Sequence, residues 1–341
     1  MSGGVDSSVA AALLLEQGHE VVGATMKLWG GPSDTGCCSV ADVEDARRVA
    51  QQLGIAHHVF NFGDEFEAHV VAPYVAAHAE GRTPNPCVEC NRHLKFDRFL
   101  RRASQLGFDA VATGHHARVG LDRGGRYRLR RGADAGKDQS YVLYMLDQAA
   151  LARTLLPVGE LTKASVRAHA ARLGLRTAAK PDSQDVCFIT STGGRTAFLG
   201  SRIPLHPGVV VDDATGAPVG SVDAVELITV GQRRGLGPLD SLDGEPRRRF
   251  VVGIEGSTVR VATSPPTTGS LQIEDFSWVD AAAPAGARVE VQCSAHGSVV
   301  RAMYAGDGEV VFDQPQRVVA PGQSVVLYDG DDVLGGGVVV G

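Results

Sequence analysis

Two proline-stiffened loops bring thiols to positions where they could react. The first is Thr83-Pro84-Asn85-Pro86-Cys87-Val88-Glu89-Cys90-Asn91, which delivers two cysteines to the start of a helical pattern. A thiol at a helix N-terminus is shifted toward thiolate, the form that attacks carbon or disulfide sulfur. The second is Lys180-Pro181-Asp182-Ser183-Gln184-Asp185-Val186-Cys187-Phe188-Ile189, with one thiol. Two such loops suit a pair that exchanges sulfur through a transient disulfide. The same three cysteines, 87, 90 and 187, could instead hold zinc or an iron–sulfur cluster with an open position.

A third motif points to phosphate. Ser2-Gly3-Gly4-Val5-Asp6-Ser7-Ser8 runs directly into the apolar helical stretch Val9–Leu15. Its glycines let backbone approach an anion, and the helix start aims unpaired N–H groups and a positive dipole end at it. The Gly-Lys-Ser/Thr ending of a Walker A loop is missing, so binding of a leaving pyrophosphate fits better than γ-phosphoryl transfer. Such a loop ordinarily follows a buried strand; with only Met1 before it, the expectation is a natural start further upstream.

Three further motifs stand nearby. Gly114-His115-His116 closes a strand pattern, so its glycine can approach a nucleotide at the mouth of a sheet. Lys137-Asp138-Gln139-Ser140 follows a basic hairpin and either contacts phosphate or begins a helix. Gly231-Gln232-Arg233-Arg234-Gly235-Leu236-Gly237 is a basic loop of the kind that grips a nucleic-acid backbone. Cys37-Cys38 are adjacent and cannot easily face one site, whereas Cys293 lies in an apolar strand pattern and reads as core.

The elements that must position these groups change character along the chain. Strands are predicted at 20–28, 57–62 and 109–113. Helices are predicted at 39–53, capped by Ser39, and at 65–79, 91–106, 141–156 and 162–173. The alternation marks a parallel sheet flanked by helices. From about Gly208 the pattern becomes short β-branched runs, 209–211, 222–229, 250–254, 259–262, 288–293, 310–312, 325–328 and 337–340. The Pro/Thr/Gly stretch 263–269 reads as a boundary.

A chain of 341 residues predicts two or three domains. Its 43% hydrophobic and 21% charged content is that of an ordinary globular protein. No apolar run reaches the roughly 18 residues of a membrane span, and the N-terminus lacks a signal-peptide pattern. A cytoplasmic protein without membrane contact is expected. A net charge of −6 argues against a broad nonspecific nucleic-acid surface but leaves room for local basic patches. Six cysteines are too few for a disulfide framework.

The order and spacing of these motifs resemble the tRNA-specific 2-thiouridylase family of the PP-loop ATP pyrophosphatase superfamily, and the likeness covers nearly the whole chain. It implies an α/β fold: an adenine-nucleotide alpha-hydrolase-like (PP-loop) parallel-sheet domain at 1–195, a small, mainly β central domain at 196–264 and a C-terminal β-barrel at 265–341. The implied chemistry is adenylation of the wobble uridine 2-oxygen by ATP with Mg2+, then sulfur delivery from a cysteine persulfide. By resemblance Cys187 carries the persulfide. Cys90 is the nucleophile that releases hydrosulfide from it or closes a disulfide with Cys187. Met1, Ser2, Gly3, Gly4, Val5, Asp6, Ser7, Met26 and Gly114 would bind ATP. Asn85, Pro86 and Cys87 would face the target base, with Lys137, Asp138, Gln139, His115 and Gln323 contacting tRNA.

The implied partners are tRNA acceptors for Lys, Glu and Gln and a persulfide-donating cysteine desulfurase or sulfur-relay protein, with the enzyme itself a monomer. Some members of the family carry Asp where this chain has Cys87, which keeps an iron–sulfur cluster on Cys87, Cys90 and Cys187 in play. Gln292-Cys293-Ser294-Ala295 stands where relatives often carry an Arg-Tyr or Arg-Ala tRNA contact, so Ser294 and Ala295 receive no tRNA role. Two other readings share parts of the pattern. An adenylating ligase or amidotransferase would need no paired thiols, and a non-enzymatic metal- or tRNA-binding protein would release no pyrophosphate.

Overall fold

The computed structural model describes residues 1–28, 40–182, 186–189, 193–240 and 248–340. Cys37, Cys38 and the Ser39 cap lie outside them, as do Ser183, Gln184 and Asp185.

Helix α1 (Val5–Glu16) is alanine-rich and buried on several sides, with Val5, Ser8, Val9, Ala10, Ala11, Ala12 and Leu14 all inside. A helix apolar around most of its circumference belongs in the middle of a domain. Helix α2 (Val40–Leu53) is one-sided, burying Ala46, Val49 and Ala50. Between and after them, β1 (Gly23–Lys27) and β2 (His57–Asn61) pair in parallel, with Gly23 opposite His57 and Lys27 opposite Asn61. Met1 joins the edge of β1. Its amino group donates to the Ala24 carbonyl, and Thr25 Oγ1 donates to the Met1 carbonyl at 2.6 Å. A second parallel pair forms from β3 (Val111–Ala112) and the later β6 (Thr154–Leu155), with the hairpin β4 (Ala117–Leu121) and β5 (Tyr127–Arg131) between them in sequence. Parallel strands with helical crossovers place their carboxyl ends on one side, where ligands gather.

The predicted helix over 141–156 does not form. Instead there is a 3-10 turn at Ser140–Leu143, a short helix at Gln148–Leu151 and then β6. Tyr141, Leu143, Tyr144 and Leu146 are all buried, and over 141–146 they span too wide an arc to leave a helix one solvent face. Asp147 breaks it further by accepting from the Ala150 N–H at 2.8 Å as a fresh N-cap. The predicted strand over 222–229 is likewise displaced. Strand β7 is Gly208–Asp212, β8 is Pro218–Val222, and a 3-10 turn occupies Val225–Leu227, where the Val225 N–H donates to the His206 carbonyl.

Strands β9 (Phe250–Glu255) and β10 (Thr258–Ala262) complete a four-stranded sheet in the order β8-β7-β10-β9. Six further strands follow, β11 (Thr267–Trp278), β12 (Ala287–Gln292), β13 (Val300–Gly306), β14 (Glu309–Arg317), β15 (Ser324–Asp329) and β16 (Asp332–Val339). They run β11-β14-β13-β12-β15-β16 and close through β11–β16 pairing into a six-stranded barrel. Closure removes the unpaired edges that an open sheet would expose. The β4–β5 hairpin joins the outside of this sheet, with Arg130 opposite Asp332. One apolar cluster therefore runs from Val88 and Phe96, through Tyr141, Leu143 and Tyr144, to Val326 and Tyr328 of the barrel.

Candidate active site

The phosphate loop is formed by backbone geometry that only glycine supplies. Gly3 sits at φ +70°, and a Cβ there would lie 2.4 Å from the Asp42 carbonyl oxygen. Gly4 is the N-cap of α1 and offers no side chain to its first-turn N–H groups, which leaves them for an anion. Ser7 Oγ accepts from the Ser2 N–H at 3.1 Å and folds the turn back on itself. Gly114 supports the loop from behind: a Cβ on it would meet Ser7 N at 2.6 Å and the Asp6 carbonyl carbon at 2.7 Å. Its missing side chain thus seats the loop, a role that the motif alone did not reveal. Met26 is half-buried on β1 and packs against the apolar cluster that holds Cys90.

A network of ion pairs surrounds this loop. The Asp6 carboxylate accepts from Lys163 Nζ at 2.7 and 2.8 Å, and its Oδ1 lies 3.1 Å from His116 Nε2. Burial pushes the Asp6 carboxyl up, but His116 and Lys163 outweigh it and hold the group below the usual carboxylate range. Lys163 also reaches Asp182 Oδ1 at 2.9 Å. Asp182 in turn accepts from Lys137 at 2.9 Å and Arg167 at 2.7 Å. Burial opposes ionisation there too, yet the Lys137 and Lys163 bonds bring Asp182 down to about 2. Lys180 Nζ donates to the Gly3 carbonyl at 3.0 Å, to Asp42 at 2.6 Å and to Asp45 at 2.8 Å. Sequence reasoning missed Lys163. The available signal was a cation at the first position of the helix capped by Thr162, where the dipole disfavours positive charge.

The thiols lie in different surroundings. Asn85 Oδ1 accepts from the Cys87 N–H at 3.1 Å and caps a helix that starts at Pro86, earlier than predicted. From Cys90 to Arg98 this helix is π-helical, and such widened turns are frequent at functional sites. Cys90 is buried among Phe66, Val70, Leu94 and Phe188, and Cys187 packs against the same cluster. Phe188 anchors the second loop there, with its ring edge-on to Phe66 at 5.6 Å and to Tyr74 at 5.4 Å. Cys87 is exposed on one side, but protein crowds its sulfur on the other. That burial pushes the thiol up, only partly offset by Lys95, so the thiolate shift predicted at this helix start does not hold for Cys87. Cys293 is partly buried beside the barrel core, and burial lifts its thiol to about 11. Among the described residues no group of three His, Cys, Asp or Glu side chains stands ready to hold a metal ion.

The remaining residues implied by resemblance divide into two groups. Thr83, at the head of the Asn-Pro-Cys loop, is held by residues distant in sequence. Its N–H donates to the Pro321 carbonyl at 2.8 Å, its carbonyl accepts from Gln323 Nε2, and its hydroxyl lies 3.1 Å from that of Thr229. Gln323 thus meets the loop bearing Asn85, Pro86 and Cys87. His115 is buried beside Phe96 with Nδ1 2.8 Å from Thr113 Oγ1, and burial holds it well below the ordinary histidine value. Lys137 is committed to Asp182. Asp138 accepts from the Gly132 and Ser140 N–H groups, the Ser140 hydroxyl and Arg131, and so begins the next turn. Gln139 is exposed, with Oε1 accepting from the His116 N–H. Arg233 and Arg234 are exposed in the stretch between β8 and β9.

A family profile described as "tRNA methyl transferase HUP domain" matches residues 1–191, and one described as "Aminomethyltransferase beta-barrel domain" matches 268–339. The chain is 44% identical to the tRNA-specific 2-thiouridylase MnmA of Heliobacterium modesticaldum, over 100% of this chain and 91% of the relative. It is 47% identical to the protein of that name from Mycobacteroides abscessus, over 99% and 98%, and 47% identical to that from Chloroflexus aggregans, over 99% and 96%. The chain belongs to the tRNA-specific 2-thiouridylase family. Within the 2-thiouridylase frame the phosphate loop and the two thiol loops lie in the region matched by the HUP profile, and Gln323 lies in the region matched by the barrel profile. No described helix is long and apolar enough to cross a membrane.

Proposed function

We propose that the protein catalyses ATP-dependent 2-thiolation of the wobble uridine of tRNA. The uridine 2-oxygen attacks the α-phosphorus of magnesium-ATP, pyrophosphate leaves from the loop at Ser2–Ser7, and the base carbon becomes activated by an AMP leaving group. The terminal sulfur of a persulfide on Cys187 attacks that carbon, and AMP departs with the old oxygen. Cys90 then attacks the Cys187 sulfur, which frees 2-thiouridine and leaves a Cys90–Cys187 disulfide. In the variant order Cys90 attacks first and the hydrosulfide it expels attacks the base. Both orders end in the same disulfide, which needs a two-electron thiol reductant to reset.

The observation that carries this reading is that Cys90 and Cys187 meet in one apolar cluster while the Cys187 loop is bonded to the phosphate loop through Lys180. Activated base and sulfur source can then share one site. The domains 1–195, 196–264 and 265–341 divide the work into chemistry, a basic arm and a barrel that holds the Asn85–Cys87 loop against tRNA through Gln323. Acceptors for Lys, Glu and Gln are the substrates and a cysteine desulfurase or relay protein supplies the persulfide, with the enzyme acting as a cytoplasmic monomer.

The test is mass analysis of nucleosides from unmodified tRNA incubated anaerobically with the protein, magnesium-ATP and a persulfide donor. Appearance of 2-thiouridine, dependent on all three, is the expected result. Pyrophosphate release without thiouridine would point instead to an adenylating ligase with another nucleophile.

A further inference from the structure

The segment that carries Cys187 is joined to the phosphate loop by two lysines, each of which touches both partners or their immediate supports. Lys180, in the segment itself, donates to the Gly3 carbonyl and to Asp42 and Asp45 on α2. Lys163, from the helix Lys163–Arg172, lies between Asp6 of the phosphate loop and Asp182 of the segment, at 2.7 to 2.9 Å from three carboxylate oxygens. Its side chain is only 12% exposed. Asp182 is five residues before Cys187 and accepts from three cations, Lys137, Lys163 and Arg167.

Stability alone is a weak reason for such a network. Ion pairs withdrawn from water pay a desolvation cost that often cancels their attraction, and apolar packing would join the two pieces equally well. What an apolar contact cannot do is respond to charge. A triphosphate seated in the loop brings a further anion beside Asp6, next to the ammonium that also holds Asp182. Asp6 of the phosphate loop and Asp182 of the Cys187 segment are thus held by one cation.

We propose that Asp182, acting through Lys163, is a positioning residue that couples sulfur delivery to adenylation by holding the Cys187 segment against the occupied phosphate loop. The inference rests on the thiolation reading above. It predicts a distinctive failure. Without the tie, adenylation continues but the persulfide is misplaced, and water hydrolyses the adenylated base to uridine and AMP.

The experiment measures pyrophosphate released per 2-thiouridine formed, in the full chain with unmodified tRNA, magnesium-ATP and a persulfide donor. The wild-type ratio should be close to one. For Asp182→Asn the ratio should rise about tenfold while the pyrophosphate rate stays within about threefold, and Asp182→Glu should restore it in large part. Should Asp182→Asn fail to fold, Arg167→Gln removes one of the three donors and should raise the ratio about threefold. A ratio that stays near one in the folded variants, whether the overall rate falls or not, overturns the inference. If the wild-type protein makes no thiouridine at all, the thiolation reading itself fails and the inference falls with it.

Discussion

The two ends of the site are built from opposite materials. At the phosphate end, Asp6, Lys163, Lys180, Asp42 and Asp45 form short ion pairs around a glycine turn, and Asp182 ties the Cys187 segment to Lys163. At the sulfur end, Cys90 and Cys187 pack among Phe66, Tyr74, Leu94 and Phe188. Charge fixed in advance suits an anion, because oriented donors need no reorganisation when it arrives. An apolar wall suits an activated base, which water would hydrolyse, and a persulfide, which other thiols or oxidants would consume. Lys180 and Asp182 stand at the charged end, and Val186, Cys187, Phe188 and Ile189 at the apolar one.

The most severe way to break this comparison is to remove a sulfur. Cys187→Ser and Cys90→Ser should each lower 2-thiouridine yield by about a thousandfold or more, as removal of a reacting group does. ATP affinity, measured by calorimetry, should stay within about threefold because the ionic end is untouched. Normal thiouridine from either variant would end the relay mechanism.

The converse disturbance is Gly114→Ala. Its Cβ would press into the backbone of Asp6 and Ser7 at 2.6 to 2.7 Å. The loop must shift, and ATP should bind about tenfold more weakly, since oriented backbone donors lose their geometry. Loading of persulfide on Cys187, read by intact-protein mass, should proceed as in the wild type. A smaller step separates thiol relay from cluster chemistry: Cys87→Ser should leave thiouridine yield within about threefold, because an exposed thiol that burial keeps protonated is a poor nucleophile. Loss of activity as complete as for Cys90→Ser would instead favour a three-cysteine cluster.

Legibility in the sequence also differs between the two ends and the scaffold. The glycine turn, the Asn-Pro-Cys loop and the Cys187 loop could be read directly, since their glycines, prolines and thiols are scarce residue types with local roles. Lys163 could not, because its partners Asp6 and Asp182 are distant in sequence and meet only when the helix at 163–172 packs on α1. The parallel strands β1 and β2 were readable from the alternation of strand and helix patterns, and the barrel's general character from its β-branched runs. The run 141–156 misled because its buried residues Tyr141, Leu143, Tyr144 and Leu146 do not fall on one helical face, which blurs the period that distinguishes helix from turn. The longest barrel strand, β11, was hidden by its Gly, Ser, Glu and Asp content, since its pairing with β14 and β16 rather than its propensity makes it a strand.

The smallest expected effect sharpens the comparison by pH. His78 lies against the ring of Tyr74, 4.6 Å away at the sulfur end, and burial, reinforced by the charge of Arg195, holds it down at about 4. A histidine whose folded value is depressed takes up its proton more readily when unfolded. The stability it contributes is therefore complete above its ordinary value of 6.5 and is lost as pH falls from there toward 4. Asp182 has the opposite sign of charge and a folded value of about 2, so its contribution persists down to its ordinary value of 3.8 and is lost only below it. Between these limits acid should loosen the apolar end while the ionic end stays intact. The urea midpoint of the wild-type protein should fall between pH 7 and pH 4.5, and His78→Gln, which cannot titrate, should flatten that slope. An unchanged slope would place the acid sensitivity outside the sulfur end.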